Sequence, residues 1–289
     1  MQKPKKKSVR SKAVSSRTGG SKAGKPERRA TRKPQPKSEK EAAIESSQRI
    51  NRYLATCGLC SRREADRWIA DGRVAVNGKK VEQPGVQIGR GDIVAVDGKV
   101  VTPALDNTYI LYNKPRGLLC SRKDDRGRPL IYDHLDIPAS VQSVGRLDMD
   151  SEGLLILTDN GPMAQKLTHP SAKLARQYRV RITGQLSLES LEALKKGGID
   201  MGDGDLSDPW EITVDSETKG HSWFTVTIFR GRWREIRRTV QARGHEVRRL
   251  MRTRFGPIKL DPEMPLGSWR NLTSGELKQL KAAASKRKG

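Results

Sequence analysis

The 289 residues carry 57 Lys and Arg against 33 Asp and Glu, a net charge of +24, with 34% hydrophobic residues and no long apolar stretch. That balance argues against a membrane-spanning or secreted chain, leaves room for about two domains with real cores, and points to a polyanionic partner, nucleic acid first. Three cysteines, Cys57, Cys60 and Cys120, make no disulfide framework, and the odd count fits a reducing, cytoplasmic setting.

Residues 1–46 are mostly Lys, Arg, Ser, Pro and Gly, and residues 1–49 hold 10 Lys and 6 Arg against 4 Glu, half of the net charge. Nothing there offsets the entropy of ordering a backbone, which predicts a disordered basic arm that attracts phosphate or serves as a solubility tail. From Gln48 the character changes. Ile50, Tyr53 and Leu54 have helical spacing, ended by Gly58, and the capping box Ser61-Arg62-Arg63-Glu64 opens a second helix that turns Ala65, Trp68 and Ile69 inward. Asn77-Gly78 after Val74 and Val76, and Asp97-Gly98 within Gly91–Val101, predict two hairpins with type I′ turns. Arg52, Arg62, Arg63, Arg67 and Arg73 stud the helical part; any one of them alone is a solvated helix face. Cys57-Gly-Leu-Cys60 has the spacing of half a zinc site, but no second pair exists and the four histidines are scattered. Small residues packed at a helix end account for the two thiols, and no metal is expected.

The larger region opens with the strand Tyr109–Tyr112 and the turn Asn113-Lys114-Pro115-Arg116-Gly117, from which Lys114 and Arg116 are expected to reach out. Next comes Gly145–Gly161, where Arg146, Asp148, Asp150 and Glu152 precede the apolar run Leu154–Leu157, a buried strand closed by Asp159-Asn160-Gly161. Three readings compete for these acids. They are a turn facing water, or a calcium loop, since Asp148, Asp150, Glu152, Gly153 and Asp159 fall at positions 1, 3, 5, 6 and 12 of an EF-hand pattern. Against calcium, both flanks read as extended rather than helical, and position 9 is Ile156. The third reading is a nucleophilic or acid–base Asp held on a rigid strand.

Pro162–Leu167 reads as a short helix, and Tyr178, Val180 and Ile182 alternate with Arg179 and Arg181 in a strand with one buried and one basic face. Ser187 caps a helix with Leu188, Leu191 and Leu194 inward and Gly197-Gly198 after it; Gly202–Asp208 is an acidic loop and Trp223–Phe229 a strand. Ten arginines then crowd Arg230–Arg254, more than a solvated face needs and suited to bidentate contacts with phosphate or carboxylate. A helix over Trp233–Arg243, ended by Gly244, puts Arg234, Arg237, Arg238 and Gln241 on one face and Ile236 and Val240 on another. A second capping box, Thr273-Ser-Gly-Glu276, starts the last helix, and residues 281–289 form a basic tail.

Two short helices followed by small strands, over residues 47–107, resemble the S4 RNA-binding domain, which implies that Arg62, Arg63 and Arg67 lie along an RNA backbone. The motifs Asn113-Lys114-Pro115-x-Gly117, Gly145-Arg146-Leu147-Asp148-x-x-Ser151-x-Gly153-Leu154, the Tyr178 strand and Gly231-Arg232-x-Arg234-Glu235-Ile236-Arg237-Arg238 resemble the RsuA/RluB/RluE/RluF family of pseudouridine synthases, in matching order across about residues 48–270. The resemblance implies an α+β fold: the S4-type domain, then a catalytic domain over residues 108–280 with a mixed, mainly antiparallel sheet, flanking helices and a central RNA cleft. It implies uridine-to-pseudouridine isomerisation in rRNA, with Asp148 the catalytic carboxylate, Arg237 the arginine that keeps it ionised, and Tyr178 stacking on the flipped base. Arg146 would hold the backbone or fill the gap left by the uridine, and Lys114, Arg234 and Arg238 join the RNA-binding set. Two positions depart from the family pattern: Ser151, where Thr is frequent, and Arg176-Gln177, where relatives often carry Lys and an acid. The arginine segment is closer to the family's large-subunit members, which implies 23S rRNA, free or in a pre-ribosomal particle, acted on by a monomer. The isomerisation neither gains nor loses atoms and calls for no cofactor. The rival is a non-catalytic rRNA-binding assembly factor, favoured by loss of Asp148 or Arg237; both are present.

Overall fold

The computed structural model describes residues 47–103 and 107–285; the expected arm at residues 1–46 and the end of the tail at 286–289 lie outside them. Strand β1 (Gln48–Arg49) leads into helices α1 (Ile50–Thr56) and α2 (Arg62–Ala70), followed by β2 (Val74–Val76), β3 (Lys79–Lys80), β4 (Gln87–Ile88), β5 (Val94–Val96) and β6 (Lys99–Val100). The Glu64 N–H donates to the Ser61 hydroxyl at 3.2 Å, so the first capping residue does its expected work. Both hairpin turns have positive φ at their two central residues, Asn77 at 50° with Gly78 at 78°, and Asp97 at 49° with Gly98 at 76°. That conformation matches the twist of the flanking strands and joins β2 to β3 and β5 to β6, and pairing of β2 with β5 gives the order β3-β2-β5-β6. Ile50, Leu54, Ala65, Ile69, Val74 and Val94 close a core of their own with Cys60. Burial pushes the Cys57 thiol up to about 12 and the Cys60 thiol to about 11. Both thiols are therefore neutral at ordinary pH.

The rest is built on a nine-stranded sheet with the path β11-β12-β10-β13-β9-β7-β15. Its strands are β7 (Tyr109–Lys114), β8 (Gln142–Ser143), β9 (Glu152–Thr158), β10 (Arg176–Thr183), β11 (Glu211–Glu217), β12 (His221–Ile228), β13 (Val247–Phe255), β14 (Ile258–Lys259) and β15 (Trp269–Asn271). Only β9 and β13 pair parallel, so the sheet is mixed and mainly antiparallel, as expected. β7 and β9 are buried along their whole length, which is why Leu154–Leu157 reads as an unbroken apolar run. Leu155 and Leu157 share a core with Leu194 of helix α4 (Leu188–Lys196) and with Ile236 and Val240 of helix α5 (Glu235–Ala242). Leu154 and Ile156 face the other side, with Leu167 of α3 (Gly161–Thr168) and Leu280 of α6 (Ser274–Ser285).

Three expectations change. Leu188 is 81% exposed rather than inward, because it occupies the first turn of α4, where only Leu191 and Leu194 reach the sheet. Helix α5 starts at Glu235, since Arg234 takes φ 49° and cannot continue a right-handed turn backwards to Trp233. Helix α6 runs on to Ser285, into the segment expected to be tail.

Gly153 joins the sheet to the loop that carries the acids. It has φ 100° and lies between Lys114 of β7 and Arg252 of β13, where a Cβ would overlap the Arg252 carbonyl and stand 2.8 Å from its nitrogen. Gly153→Ala is expected to lower unfolding stability by about 3 kcal/mol, combining backbone strain with overpacking. A denaturant melt with an unchanged midpoint would refute this.

Candidate active site

The loop between β8 and β9 presents Arg146, Asp148 and Asp150, and its backbone is tied down from beneath. Lys114, 0% exposed at the end of β7, donates from Nζ to the carbonyls of Pro115 (3.0 Å), Asp148 (3.2 Å), Met149 (3.5 Å) and Ser151 (2.8 Å). The Gly117 N–H donates to Met149 O at 2.7 Å, and the Ser151 N–H to Asp148 O at 3.1 Å. Cys120 Sγ donates to Leu147 O at 3.3 Å. Lys114 therefore does not reach out to RNA as expected; a buried ammonium needs acceptors, and the carbonyls of this turn converge on it. Burial lowers its pKa, while Cys120, Asp150, Asp148 and Glu152 favour the charged form.

Above this base the Asp148 side chain is 33% exposed, with Arg234 Nη1 3.7 Å from its Oδ2 and 3.5 Å from Asp150 Oδ1. Arg237 stands one carboxylate further along: its Nη2 is 3.2 Å from Asp150 Oδ2 and donates to Asp150 O at 3.0 Å, while its Nη1 donates to Val247 O at 3.1 Å. The ion pair expected between Arg237 and Asp148 is thus made by Arg234 instead. The left-handed turn at Arg234 bends its side chain back over both acids, and α5 aims Arg237 at Asp150. Burial lowers the Arg237 pKa and Asp150 opposes that shift. Glu152, 3% exposed, pairs with Arg249. Asp148, Asp150 and Glu152 thus face guanidinium groups, Asp159 accepts from the Thr108 N–H at 2.9 Å, β9 begins at Glu152, and no cluster of three metal-ligating side chains forms among the described residues.

Asp148 lies where two spaces meet. An open groove of about 840 Å³ runs past Arg116, Lys123, Arg128 and Arg146, and a deeper cavity of about 300 Å³ is lined by Tyr178, Arg176, Arg252, Ile228 and Phe255. Tyr178 is 7% exposed, in register with Val226 of β12 and Arg252 of β13, so the sheet fixes its ring in the cavity wall. A mainly basic strip leading to the Asp148 carboxylate, the one aspartate that lines both spaces, over an aromatic pocket suits a nucleotide drawn out of its strand.

Residues 108–242 match the RNA pseudouridylate synthase family and residues 48–94 the S4 domain. A protein of Aquifex aeolicus described as an uncharacterized RNA pseudouridine synthase is 41% identical over 236 residues, 80% of this chain and 93% of that one. The chain belongs to the RNA pseudouridine synthase family. The ribosomal large subunit pseudouridine synthase B of Pseudomonas aeruginosa is 36% identical over 240 residues, which span 80% of this chain and only 61% of that relative. A crystal structure of a pseudouridylate synthase superposes with a TM-score of 0.58 at 28% identity, covering 80% of this chain and 99% of that one.

In this synthase the expected RNA-binding residues divide. Arg146 is exposed on the groove, and Arg234 lines both groove and cavity. Arg62, Arg63 and Arg67 are exposed on α2 and line neither space. Arg238 is turned inward. It donates from Nε to Met201 O (2.9 Å), from Nη1 to Asp205 (3.0 Å) and from Nη2 to Gly202 O (3.1 Å), so its guanidinium is engaged with the acidic loop. Two cavity arginines were missed. Arg252 is 2% exposed and donates from Nε to Leu154 O at 2.7 Å, with no partner for Nη2. Arg176 donates to Phe229 O at 3.0 Å, and burial lowers its pKa. The available signal was a charged residue at an inward position of β13, in step with Leu250.

Proposed function

We propose that this synthase isomerises one uridine of 23S rRNA, with Asp148 as the catalytic carboxylate, acting as a monomer in the cytoplasm. One observation carries this reading: the Asp148 carboxylate stands at the junction of the basic groove and the Tyr178 cavity. A uridine leaving a strand in the groove passes that carboxylate on its way in, and a base inside a stack is out of reach of any enzyme until it is extruded. The reaction breaks N1–C1′, turns the uracil and joins C5 to C1′; C5 loses its proton and N1 gains one, so atoms and electrons balance without a cofactor. Breaking N1–C1′ builds positive charge on the ribose. An ionised carboxylate serves that step by attack at C1′, by electrostatic stabilisation, or by taking the 2′ proton. Arg234 and Arg237 place positive charge beside Asp148 and Asp150 and offset the repulsion between the two carboxylates. The Tyr178 ring supplies the surface on which uracil stacks, with its hydroxyl available to the C5 proton. Arg146 holds the backbone or fills the space the uridine leaves.

Similarity to the large-subunit synthase B of P. aeruginosa favours 23S rRNA as the substrate. Arg62, Arg63 and Arg67 add backbone contacts, and the basic arm adds salt-sensitive affinity for rRNA, free or in an assembling particle. Incubating the protein with 23S and 16S rRNA transcripts and mapping pseudouridine in each tests the substrate. Modification of one 23S uridine is expected; product in 16S alone would move the substrate to the small subunit, and none in either would sink the reading.

A further inference from the structure

Trp233 is 68% exposed, and the chain on both sides holds it so. Arg232 is drawn inward: its Nη1 donates to Asp205 Oδ1 at 2.8 Å and to Leu206 O at 2.6 Å, its Nη2 to Glu235 Oε1 at 3.0 Å, and its N–H to Glu235 Oε2 at 3.0 Å. Arg234, at φ 49°, bends toward Asp148 and Asp150. Between two arginines anchored inward, the indole is left pointing outward. The Arg238 guanidinium lies 5.6 Å from its ring centroid, and is itself fixed by Asp205 and the Met201 and Gly202 carbonyls. A clamped cation thus backs the ring while most of the side chain stays open. Trp233 also lines both the groove and the cavity, together with Arg146, Asp148 and Arg234.

We propose that Trp233 is a stacking platform for an unpaired RNA base next to the target uridine, holding the strand open at the cavity mouth. This rests on the reading above, in which the uridine enters past Asp148. The target itself has a buried aromatic partner in Tyr178, whereas a rim residue this exposed meets what stays outside the cavity. Single-stranded RNA suits the place because every base offers a π-face to an indole, while the groove arginines and lysine meet the phosphates on either side. The inward ties of Arg232 and Arg234 mean that little ordering remains to be done when the base arrives.

The full chain, with Trp233→Ala and Trp233→Phe, is compared for binding to a labelled, unstructured oligouridylate and to an RNA duplex of equal length. Trp233→Ala is expected to weaken binding to the single strand about tenfold and leave duplex binding unchanged, with Trp233→Phe retaining most of the affinity. Equal binding by the wild type and Trp233→Ala overturns the proposal, as does an equal loss on both RNAs, which would mark a structural or purely electrostatic effect. On the 23S transcript, Trp233→Ala should raise KM by about the same factor with kcat little changed. A fall in kcat at constant KM would put the indole in the chemistry and overturn the platform role. If the wild type forms no pseudouridine in that transcript, the 23S reading fails by itself and the oligouridylate comparison still decides the role of Trp233.

Discussion

Asp148→Asn is expected to fold, bind rRNA and form pseudouridine at least about a thousandfold more slowly than the wild type, the scale seen when a preorganised charge that acts only in the transition state is removed. The reason to expect a folded protein is local. The carboxylate is 33% exposed and its ion pair with Arg234 spans 3.7 Å, so the amide should change stability by no more than about 0.5 kcal/mol. Arg234 also keeps Asp150 as a partner at 3.5 Å and is not left uncompensated. The measurement is single-turnover pseudouridine formation at saturating RNA, beside a melt of both proteins. Retained activity would remove Asp148 from the chemistry and favour a non-catalytic RNA-binding role; a collapsed melt would mean that the carboxylate is structural.

Lys114→Met should act in the opposite order, on the fold first and the chemistry through it. Methionine fills much the same volume but donates nothing, and the carbonyls of Pro115, Asp148, Met149 and Ser151 lose a donor that is 0% exposed. The cost of those buried acceptors outweighs the relief of no longer burying an ammonium, and a loss of about 3 kcal/mol is expected. Because two of the carbonyls bracket the loop that carries Asp148, at Asp148 and Ser151, the remaining folded protein should also lose kcat more than KM. A melt at the wild-type midpoint would refute the structural role, and a pure KM effect would restore Lys114 to the RNA-binding set.

These two lysine and aspartate positions mark where sequence stopped being sufficient. Features held by partners within a few residues, or written in the local run and alternation of apolar residues, were legible. They include the capping residues Ser61 and Thr273, the type I′ turns at Asn77-Gly78 and Asp97-Gly98, the inward alternation of Tyr178, Val180 and Ile182, and the buried run of β9. The motif order was legible too, and it led to the fold and the family. What remained hidden was the partner of each long charged side chain. Lys114 is a turn lysine in sequence, yet three of its four acceptors lie 34 to 37 residues away; Arg238 shares its helix with Arg237, but one grips the Asp205 loop and the other Asp150. A lysine or arginine can swing its charge over several ångströms about flexible bonds, so residue type determines that it will seek an acceptor but not which one. That choice belongs to the tertiary structure, because burying such a charge is tolerable only where the packed chain brings carbonyls or carboxylates to meet it.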